Sequence, residues 1–325
     1  MGLFPIDIVY LWVDGSDPAW RAKLNRHKVD CVLQSEQVSG ESRWRNNDEL
    51  RYSLRSIELY APWINHIYIV TDNQCPEWLD TNNPKISIID HRDILPNDAL
   101  PVFNSQAIES CIYKIPGLSE HFILGNDDTM FVMPTTPDPF FKEDGTAIVR
   151  LIKFHRYKAQ RRGTYQRTIR RMQDTIHRLF GLLIPYAPHH NFDAYLKSDY
   201  KYCVENLEKE AWERTARNKF RTEEDMQRCF ISYYMIVAKH AELRKVGRYN
   251  RVHGFWNAVQ ATFTNRFAND SRNINLDLPD YEAALNKYNP IMICTNDSER
   301  AKDEDGLRMK KFLEELFPKK CSFEK

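Results

Sequence analysis

The segment that decides the fold is IDIVYLWV at residues 6–13, which continues into the polar turn DGSDP at residues 14–18. Its β-branched and aromatic residues predict a buried strand, because such side chains pack well on a pleated surface. Apolar residues at helical spacing then run from Ala19 to about Cys31. A strand that leads through a turn into a helix is the first unit of an α/β fold.

The same alternation continues along the chain. Strands are predicted at 67–70, 86–89, 121–124 and 291–294, helices at 48–61, 104–115 and 305–317, and a helical region at 204–238. Such alternation predicts a largely parallel sheet, in which ligands bind beyond the carboxyl ends of the strands. Polar clusters at Asp14, Asp72 and Asp127 follow three of the strands. We therefore expect a binding site at that edge of the sheet.

The composition argues against several classes of protein. Lys and Arg number 46 against 45 Asp and Glu, and this formal net charge of +1 gives no overall field that would indicate nucleic-acid binding. The seven cysteines include no Cys-x-x-Cys pair, which argues against a zinc ribbon or a disulfide framework. Residues 1–5 lack the basic region of a signal peptide, and no apolar run is long enough to span a bilayer. We expect a cytoplasmic protein.

A basic stretch occupies residues 150–171, and an apolar stripe extends through the same region to residue 184. The stripe, at helical spacing, consists of Ile169, Met172, Ile176, Leu179 and Leu183. It predicts a basic amphipathic helix, for which two arrangements are open. The stripe packs on the core, or it lies in the interface of an anionic membrane that attracts the arginines. We expect the second arrangement, a peripheral contact through residues 150–184.

The sharpest candidate site is the sequence Asn126, Asp127 and Asp128 after a predicted strand. Adjacent carboxylates at a strand end can hold a hard divalent cation against a diphosphate. The same residue types also form ordinary turns, and the residues alone leave both interpretations open. Asn296 and Asp297 repeat the pattern near the C-terminus. They become significant only if the fold brings them beside the first pair.

His189 and His190 lie in a predicted loop after Pro188. An imidazole in such a loop can accept a proton near neutral pH. The alternative is a pair of surface histidines without a role.

Arg221 directly precedes Thr222, which together with Asp225 predicts a helix start. Its guanidinium could bind phosphate oxygens, since a planar fork of donors matches their geometry. The alternative is an ion pair with Glu223 or Glu224.

Four ordered blocks resemble the conserved regions of the Stealth family, which includes capsular and exopolysaccharide phosphotransferases and the catalytic subunit of the lysosomal-enzyme N-acetylglucosamine-1-phosphotransferase. The first block is FPIDIVYLWVDGSDP at 4–18; the second comprises NDELRYSLRSI at 47–57, APWI at 61–64, IYIVTDNQ at 67–74 and NDD at 126–128. The third comprises PH at 188–189 and RTEEDMQ at 221–227, and the fourth is CTND at 294–297. Because the blocks occur in order from residue 4 to residue 297, the resemblance is specific.

The resemblance implies one catalytic domain over residues 1–325 with a Rossmann-like, GT-A-like α/β sheet. We expect a nucleotide-sugar-binding part at 1–141, a helical acceptor-side lobe at 142–240 and a C-terminal part at 241–325 that returns to the active site. The implied reaction moves a hexose-1-phosphate from a UDP-sugar, such as UDP-N-acetylglucosamine, to a glycan or lipid-linked glycan hydroxyl in capsular or exopolysaccharide synthesis. UMP would be released.

The resemblance also implies roles for individual residues. Mg²⁺ or Mn²⁺ would bind Asp127, Asp128 and Asp297. His189 would be the general base and Arg221 would bind the transferred phosphoryl group, although a carboxylate in the role of base stays open. The residues expected to bind the nucleotide sugar are Trp12, Gly15, Ser16, Asp48, Arg51, Asn73, Asn126 and Asn296.

Two other functions are compatible with these residues. An ordinary metal-dependent glycosyltransferase would transfer the sugar alone and release UDP. A non-catalytic glycan- or polyanion-binding module would use the basic stretch and would not need the acidic pair.

Overall fold

The computed structural model describes residues 4–28, 45–154, 156, 163–189, 191–246, 271–288, 290–297 and 300–325. The strands are β1 Ile6–Leu11, β2 Ile67–Thr71, β3 Ile86–Asp90, β4 His121–Asn126, β5 Thr129–Phe131, β6 Ala147–Lys153, β7 Tyr186–Pro188, β8 Asp193–Leu196, β9 Ala241–Val246, β10 Ser271–Asn275 and β11 Met292–Asn296. The α-helices are α1 Pro18–Lys28, α2 Glu49–Tyr60, α3 His91–Ile94, α4 Ser105–Glu109, α5 Thr164–Phe180, α6 Lys197–Asn206, α7 Lys209–Arg217, α8 Cys229–Val237, α9 Tyr281–Tyr288 and α10 Asp303–Leu316. Short 3₁₀ helices lie at Asn97–Ala99 and Ile112–Lys114.

The central sheet has the strand order β3-β2-β1-β4-β8. β1 pairs in parallel with β2 on one side and with β4 on the other. The register places Leu11 opposite both Val70 and Asn126, so the carboxyl ends of these strands lie at one edge of the sheet. The order of the strands reverses beside β1, and such a reversal opens a crevice for ligands at that edge. This topology confirms the predicted Rossmann-like α/β class.

Two smaller sheets bring later parts of the chain to the same edge. One has the order β10-β11-β5, with β5 starting directly after Asp128 and pairing antiparallel with β11. The other has the order β7-β6-β9, and His189 follows β7. The main hydrophobic core includes Ile8, Ile169 and Met292, one from each of the three predicted parts of the chain. The boundaries of those parts stay a prediction.

Helix α2 confirms the helix predicted near residues 48–61. Its residues Leu50, Leu54 and Ile57 are buried at helical spacing. Asp48 occupies the N-cap position with a left-handed backbone (φ 64°) and makes no side-chain capping bond. The predicted terminal helix is also present as α10, whose Met309 is buried in a second hydrophobic cluster.

The helical region predicted over residues 204–238 is present as three helices, α6, α7 and α8, with non-helical segments between them, but the helix start predicted at Thr222 is wrong. Thr222 does not start a helix. The buried Asp225 carboxylate instead accepts hydrogen bonds from the Thr222 amide and hydroxyl and from Asn104 and Asn218. These bonds satisfy the polar groups of a compact loop, which competes with helix formation.

The apolar stripe of the basic region packs on the core. Ile169, Met172 and Ile176 in α5 are each 0% exposed, so the expected interfacial position of these side chains is wrong. Burying them against other apolar side chains removes more surface from water than a polar interface would allow. None of the described helices has the length and apolar content that a membrane span requires.

The basic residues of this region also differ from the prediction. Arg150 is a buried residue of β6, and its guanidinium lies over the ring of Phe140. In α5, Arg167 pairs with Glu223 and Arg170 pairs with Asp174. Arg171 donates to the carbonyl of Asp225. Arg161 and Arg162, also part of the predicted basic helix, lie outside the described residues.

Candidate active site

A cavity of about 460 Å³ opens at the carboxyl edge of the central sheet. The predicted site residues that line it are Trp12, Asn126, Asp127, Asp128, His189, Arg221, Asn296 and Asp297. They come from all four sequence blocks. The fold therefore brings Asn296 and Asp297 into the same cavity as Asp127 and Asp128. The sequence alone required this proximity before Asn296 and Asp297 could be counted as site residues.

An acidic corner is formed by Asp127, Asp128 and Glu49. Desolvation raises the pKa of Asp127 well above its ordinary value, and the charges of Asp128 and Glu49 raise it further. Desolvation also raises the pKa of Glu49 to about 7, although the side chain of Asn47 donates a hydrogen bond to its carboxylate. Carboxylates that raise one another's pKa lack a compensating positive charge. A divalent cation would supply it.

The position of Asp128 is fixed by strand β11. The Thr295 amide donates to the Asp128 carbonyl oxygen over 2.8 Å. The Cys294 thiol donates to Asp128 Oδ2 over 3.2 Å. The fourth sequence block thus holds the acidic pair of the second block in place.

The carboxylate of Asp297 is already paired with an arginine of the same chain, Arg45. Both of its carboxylate oxygens accept hydrogen bonds from Arg45 Nη1, at 3.1 and 3.0 Å. Among the described residues, no group of three or more His, Cys, Asp or Glu side chains is arranged to hold a metal ion. The oxygen donors of Asp127, Asp128 and Glu49 nevertheless have the chemistry that a hard cation prefers.

His189 lies at the cavity wall directly after β7. Its Nδ1 is 2.8 Å from the hydroxyl oxygen of Ser271, the first residue of β10. The following segment packs closely against β4, since a Cβ atom on Gly125 would lie only 2.6 Å from the ring of Phe192. A glycine at position 125 therefore allows the histidine segment to approach the acidic pair.

Arg221 presents a poorly solvated guanidinium to the cavity. Its Nη2 donates to the hydroxyl of Ser105 over 2.6 Å, and desolvation lowers the pKa of the guanidinium. The alternative pairing with the adjacent acidic residues is wrong, because Glu223 pairs with Arg167 and Glu224 with Arg214. A cation in these surroundings favours an anionic ligand.

A second buried arginine, Arg228, also lines the cavity. Its guanidinium lies between two carboxylates, 3.4 Å from Glu109 and 3.2 Å from Asp193. These bonds join α4, β8 and the segment before α8. Arg228 is thus compensated within the protein, in contrast to Arg221.

Aromatic rings form part of the cavity wall. Trp12, Trp20 and Phe103 line it, and the last two rings meet edge to face at 5.6 Å. His91 also lines the cavity, and desolvation lowers its pKa to about 4 and keeps the imidazole neutral. Flat apolar walls with a few polar groups suit a planar organic ring.

Family models match two regions of the chain. Stealth protein CR1, conserved region 1, matches residues 4–26, and Stealth protein CR2, conserved region 2, matches residues 43–149. An exopolysaccharide phosphotransferase, cps2G of Lactiplantibacillus plantarum, is 36% identical over 265 residues, which cover 73% of this chain and 77% of the relative. The chain belongs to the Stealth family. Membership confirms the predicted family and the predicted class of enzyme.

Other Stealth relatives differ in length. The capsular polysaccharide phosphotransferase LcbA of Aeromonas hydrophila is 37% identical, and the match covers 69% of this chain and 63% of the relative. An exopolysaccharide phosphotransferase of Streptomyces coelicolor is 48% identical over 143 residues, which cover 44% of this chain but only 23% of the relative. The matched region is therefore a small part of some Stealth proteins.

Solved structures of glycosyltransferases resemble the Stealth chain distantly. The galactosyltransferase LgtC, solved with donor and acceptor sugar analogues, matches with a TM-score of 0.43 and 10% identity, covering 96% of this chain and 95% of that chain. The glycosyltransferase GlyE of Streptococcus pneumoniae matches with a TM-score of 0.41 and 11% identity, covering 97% of this chain and 60% of that chain. These values give no information about the reaction.

Some residues of the Stealth blocks lie outside the cavity lining. Gly15 and Ser16 form the turn after β1, where the Ser16 hydroxyl donates to Asp14 Oδ1 over 2.6 Å. Asn73 has a left-handed backbone (φ 55°) directly before Gln74, whose side chain bonds the main chain of Asp14 in both directions. These residues support the loops at the sheet edge, and their predicted contact with the nucleotide sugar stays a prediction.

Asp48 and Arg51 are engaged elsewhere. Asp48 pairs with Lys310 of α10 at 2.5 Å. Arg51 pairs with Glu324 at 2.6 Å and lies over the ring of Trp78. Neither side chain lines the cavity, so a role in donor binding would require both pairs to open.

Several cavity residues escaped the sequence analysis. They are Arg45, Glu49, Ser105 and Arg228, together with Ser271 as the partner of His189. Glu49 lies inside the second block, but only its burial beside Asp127 and Asp128 in the structure identifies it as part of the acidic corner. The serines carry no local signal, because a hydroxyl becomes functional only through the neighbour that the fold supplies.

Proposed function

We propose that this Stealth enzyme transfers a hexose-1-phosphate from a UDP-sugar, such as UDP-N-acetylglucosamine, to a glycan hydroxyl. The proposal rests on one observation: an acidic corner, a histidine and a weakly compensated arginine line a single cavity. Phosphoryl transfer needs little besides positioning and charge stabilisation, and these groups provide both.

In the proposed reaction one phosphorus–oxygen bond forms and another breaks. The acceptor hydroxyl oxygen attacks the phosphorus nearer the sugar, and the bond from that phosphorus to the bridging oxygen breaks. UMP leaves with the bridging oxygen, and the product is a sugar-phosphate-sugar diester. The bond between the anomeric carbon and its oxygen stays intact, so the anomeric configuration of the donor is retained.

His189 and Arg221 have separate roles in this step. His189 takes the proton of the acceptor hydroxyl and makes the oxygen a better nucleophile. Arg221 donates hydrogen bonds to oxygens of the transferred phosphoryl group, whose charge its guanidinium compensates. Its hydrogen bond to Ser105 keeps the guanidinium at the cavity wall.

Asp127 and Asp128 would hold Mg²⁺ or Mn²⁺. Their donor chemistry fits such a cation, and the raised pKa of Asp127 indicates a corner that a positive charge would stabilise. The bound cation would neutralise the diphosphate and the departing UMP. Asp297, the third predicted ligand, would first have to release Arg45.

The donor, the acceptor and the location are parts of the same proposal. The aromatic side chains of the cavity wall suit the uracil ring, since planar rings stack on aromatic side chains. The acceptor would be a glycan or a lipid-linked glycan in capsular or exopolysaccharide synthesis, and the location would be cytoplasmic.

The identity of the released nucleotide tests the proposal. The purified chain is incubated with Mg²⁺, a panel of UDP-sugars and glycan acceptors, and the products are analysed by mass spectrometry. We expect UMP and an acceptor heavier by one hexose phosphate. UDP and an acceptor heavier by the sugar alone would indicate an ordinary glycosyltransferase. Glycan binding without turnover, unaffected by Asp127→Asn, would indicate a binding module.

A further inference from the structure

We infer that Ser271 is a positioning residue for His189, which it orients through a hydrogen bond at Nδ1. The inference deepens the proposed function and rests on the assignment of His189 as the base. Ser271 belongs to none of the four sequence blocks, and its hydroxyl lies 2.8 Å from Nδ1.

Strands fix the backbone positions of both Ser271 and His189. Ser271 is the first residue of β10, where it lies opposite Met292 of the parallel strand β11, and it is 7% exposed. His189 follows Pro188, the last residue of β7, which lies opposite Leu151 of β6. The hydrogen bond therefore joins elements of two different sheets. A ring held between two strands has less rotational freedom than a histidine on a free loop.

The chemistry of imidazole determines what this bond does. A neutral imidazole carries one proton, and the nitrogen without it is the one that accepts another. When Nδ1–H donates to the Ser271 hydroxyl oxygen, Nε2 becomes the basic nitrogen. The same oxygen continues to accept from Nδ1–H after His189 has taken up the substrate proton. In this tautomer Ser271 orients the ring with Nε2 as the base, and its oxygen stabilises the charged ring after proton transfer.

A serine has a weaker effect than a carboxylate in this position. Its hydroxyl is neutral, so it orients the ring and stabilises the imidazolium only modestly. Loss of the hydroxyl should lower the pKa of His189 slightly and allow the ring to rotate or change tautomer. Catalysis should fall while donor binding persists, because Ser271 acts on the proton-accepting group alone.

The experiment compares variants of the complete chain. Ser271→Ala and Ser271→Cys remove the hydroxyl, and the second keeps nearly the same volume; Ser271→Thr retains the hydroxyl. The matched control is Ser232→Ala, because Ser232 is 5% exposed and its hydroxyl also bonds a side chain, that of Tyr195. His189→Ala and the double variant His189→Ala/Ser271→Ala complete the set. The release of UMP is measured from pH 5 to 9, with thermal unfolding as a check of folding.

We expect a kcat about 10-fold lower for the Ala and Cys variants, an unchanged donor KM and an acid limb of the pH profile shifted to lower pH. Ser271→Thr should recover most of the rate, and Ser232→Ala should match the wild type. The double variant should be no slower than His189→Ala, because Ser271 acts through the ring. Wild-type kinetics and pH profile in both Ser271→Ala and Ser271→Cys would overturn the inference, as would further loss in the double variant.

The two proposals fail in different ways. A fully active His189→Ala protein would overturn the base assignment together with the inference about Ser271. An inactive His189→Ala protein beside a fully active Ser271→Ala protein would leave the proposed function standing and remove only the positioning role.

Discussion

The amide of Thr295 donates a hydrogen bond to the carbonyl oxygen of Asp128 over 2.8 Å. The two residues belong to the last and the second of the sequence blocks, and strand pairing between β11 and β5 extends from this contact. The position of the acidic pair therefore depends on a strand near the C-terminus. A change at Cys294, a buried residue of β11 that does not line the cavity, should therefore affect the acidic corner without touching substrate.

The acidic pair is expected to be needed for catalysis and costly for stability. Asp127→Asn and Asp128→Asn should each lower the transfer rate by at least ~10²-fold, because charge stabilisation at the phosphoryl group is lost. Without metal, Asp127→Asn should unfold at the same or a higher temperature than the wild type, since a neutral amide removes the repulsion from Asp128 and Glu49. Activity assays and thermal unfolding check both effects. Asp138→Asn, in an exposed loop, is the control, and full turnover in the presence of a chelator would contradict the metal assignment.

We expect Asp297 to form an ion pair with Arg45 and not to bind the metal. Asp297→Asn and Arg45→Gln should reduce activity to a similar extent, and the double variant should show much less than the sum of their effects, because the residues form one pair. The Mg²⁺ concentration for half-maximal activity should stay within about twofold of the wild type, as the cation keeps its other ligands. A Mg²⁺ requirement about tenfold higher in Asp297→Asn alone would restore Asp297 as a metal ligand.

Arg221 is expected to act as a fork of hydrogen-bond donors and not only as a charge. Arg221→Lys should lower kcat by about 10- to 100-fold with a smaller change in donor KM, because the ammonium cannot reproduce the planar geometry. Arg217→Lys is the matched control, since Arg217 pairs with Asp98 at the surface. Steady-state kinetics with varied donor separate the two parameters. Wild-type kinetics in Arg221→Lys would contradict this role, because they would show that the positive charge alone is sufficient.

Much of the fold could be predicted from local patterns. The strand at residues 6–13 and the alternation after it predicted the parallel sheet, because buried parallel strands are continuous apolar runs. The helix start predicted at Thr222 was wrong because one buried carboxylate, Asp225, organises the loop before α8. Nothing in a local pattern shows that an aspartate will be buried with four hydrogen-bond donors around it.

The candidate site was predicted as far as the blocks carry chemistry. Asp127, His189 and Arg221 line the cavity as their residue types suggested. Arg51 stands in an equally distinctive block, yet it pairs with the C-terminal Glu324. Partners so far apart in sequence are set by tertiary packing, so a block alone cannot separate residues that bind substrate from residues that hold the scaffold.

The arginines of α5 are expected to stabilise the protein and not to bind a membrane. Arg167→Gln and Arg171→Gln remove an ion pair to Glu223 and a bond to the Asp225 carbonyl. Arg171→Gln should therefore lower the free energy of unfolding by about 1–3 kcal/mol, the cost of leaving a buried group unsatisfied.

Vesicle binding separates the two roles of this helix. Co-sedimentation with anionic vesicles in low salt should be unchanged in both arginine variants. Leu183→Ser provides the comparison, because Leu183 is 46% exposed on the same segment. Weaker vesicle binding in the arginine variants, with unchanged binding in Leu183→Ser, would show that the arginines bind the membrane.

Glu324, the second-to-last residue of the sequence, is expected to stabilise the helix that carries Glu49. Its side chain is 0% exposed and accepts hydrogen bonds from Arg55 at 2.6 and 3.0 Å and from Arg51 at 2.6 Å. Burial alone would raise the pKa of Glu324, but the bonds from these arginines outweigh it and lower the pKa to about 2. The bonds therefore favour the ionised form of the Glu324 carboxylate in the folded protein.

The sign of the pH dependence follows from this lowered pKa. The stabilisation is fully present above the ordinary glutamate pKa of 4.5 and is lost as the pH falls towards 2. Glu324→Gln should lower the free energy of unfolding at pH 7 by about 3 kcal/mol, because it leaves the buried Arg55 without its counter-charge. The difference from the wild type should shrink between pH 4.5 and the lowest pH at which both proteins fold. Urea unfolding at several pH values measures it, with Glu315→Gln, an exposed residue of α10, as the control. A difference that stays constant down to pH 3 would mean that Glu324 stabilises the fold by packing and not by its charge.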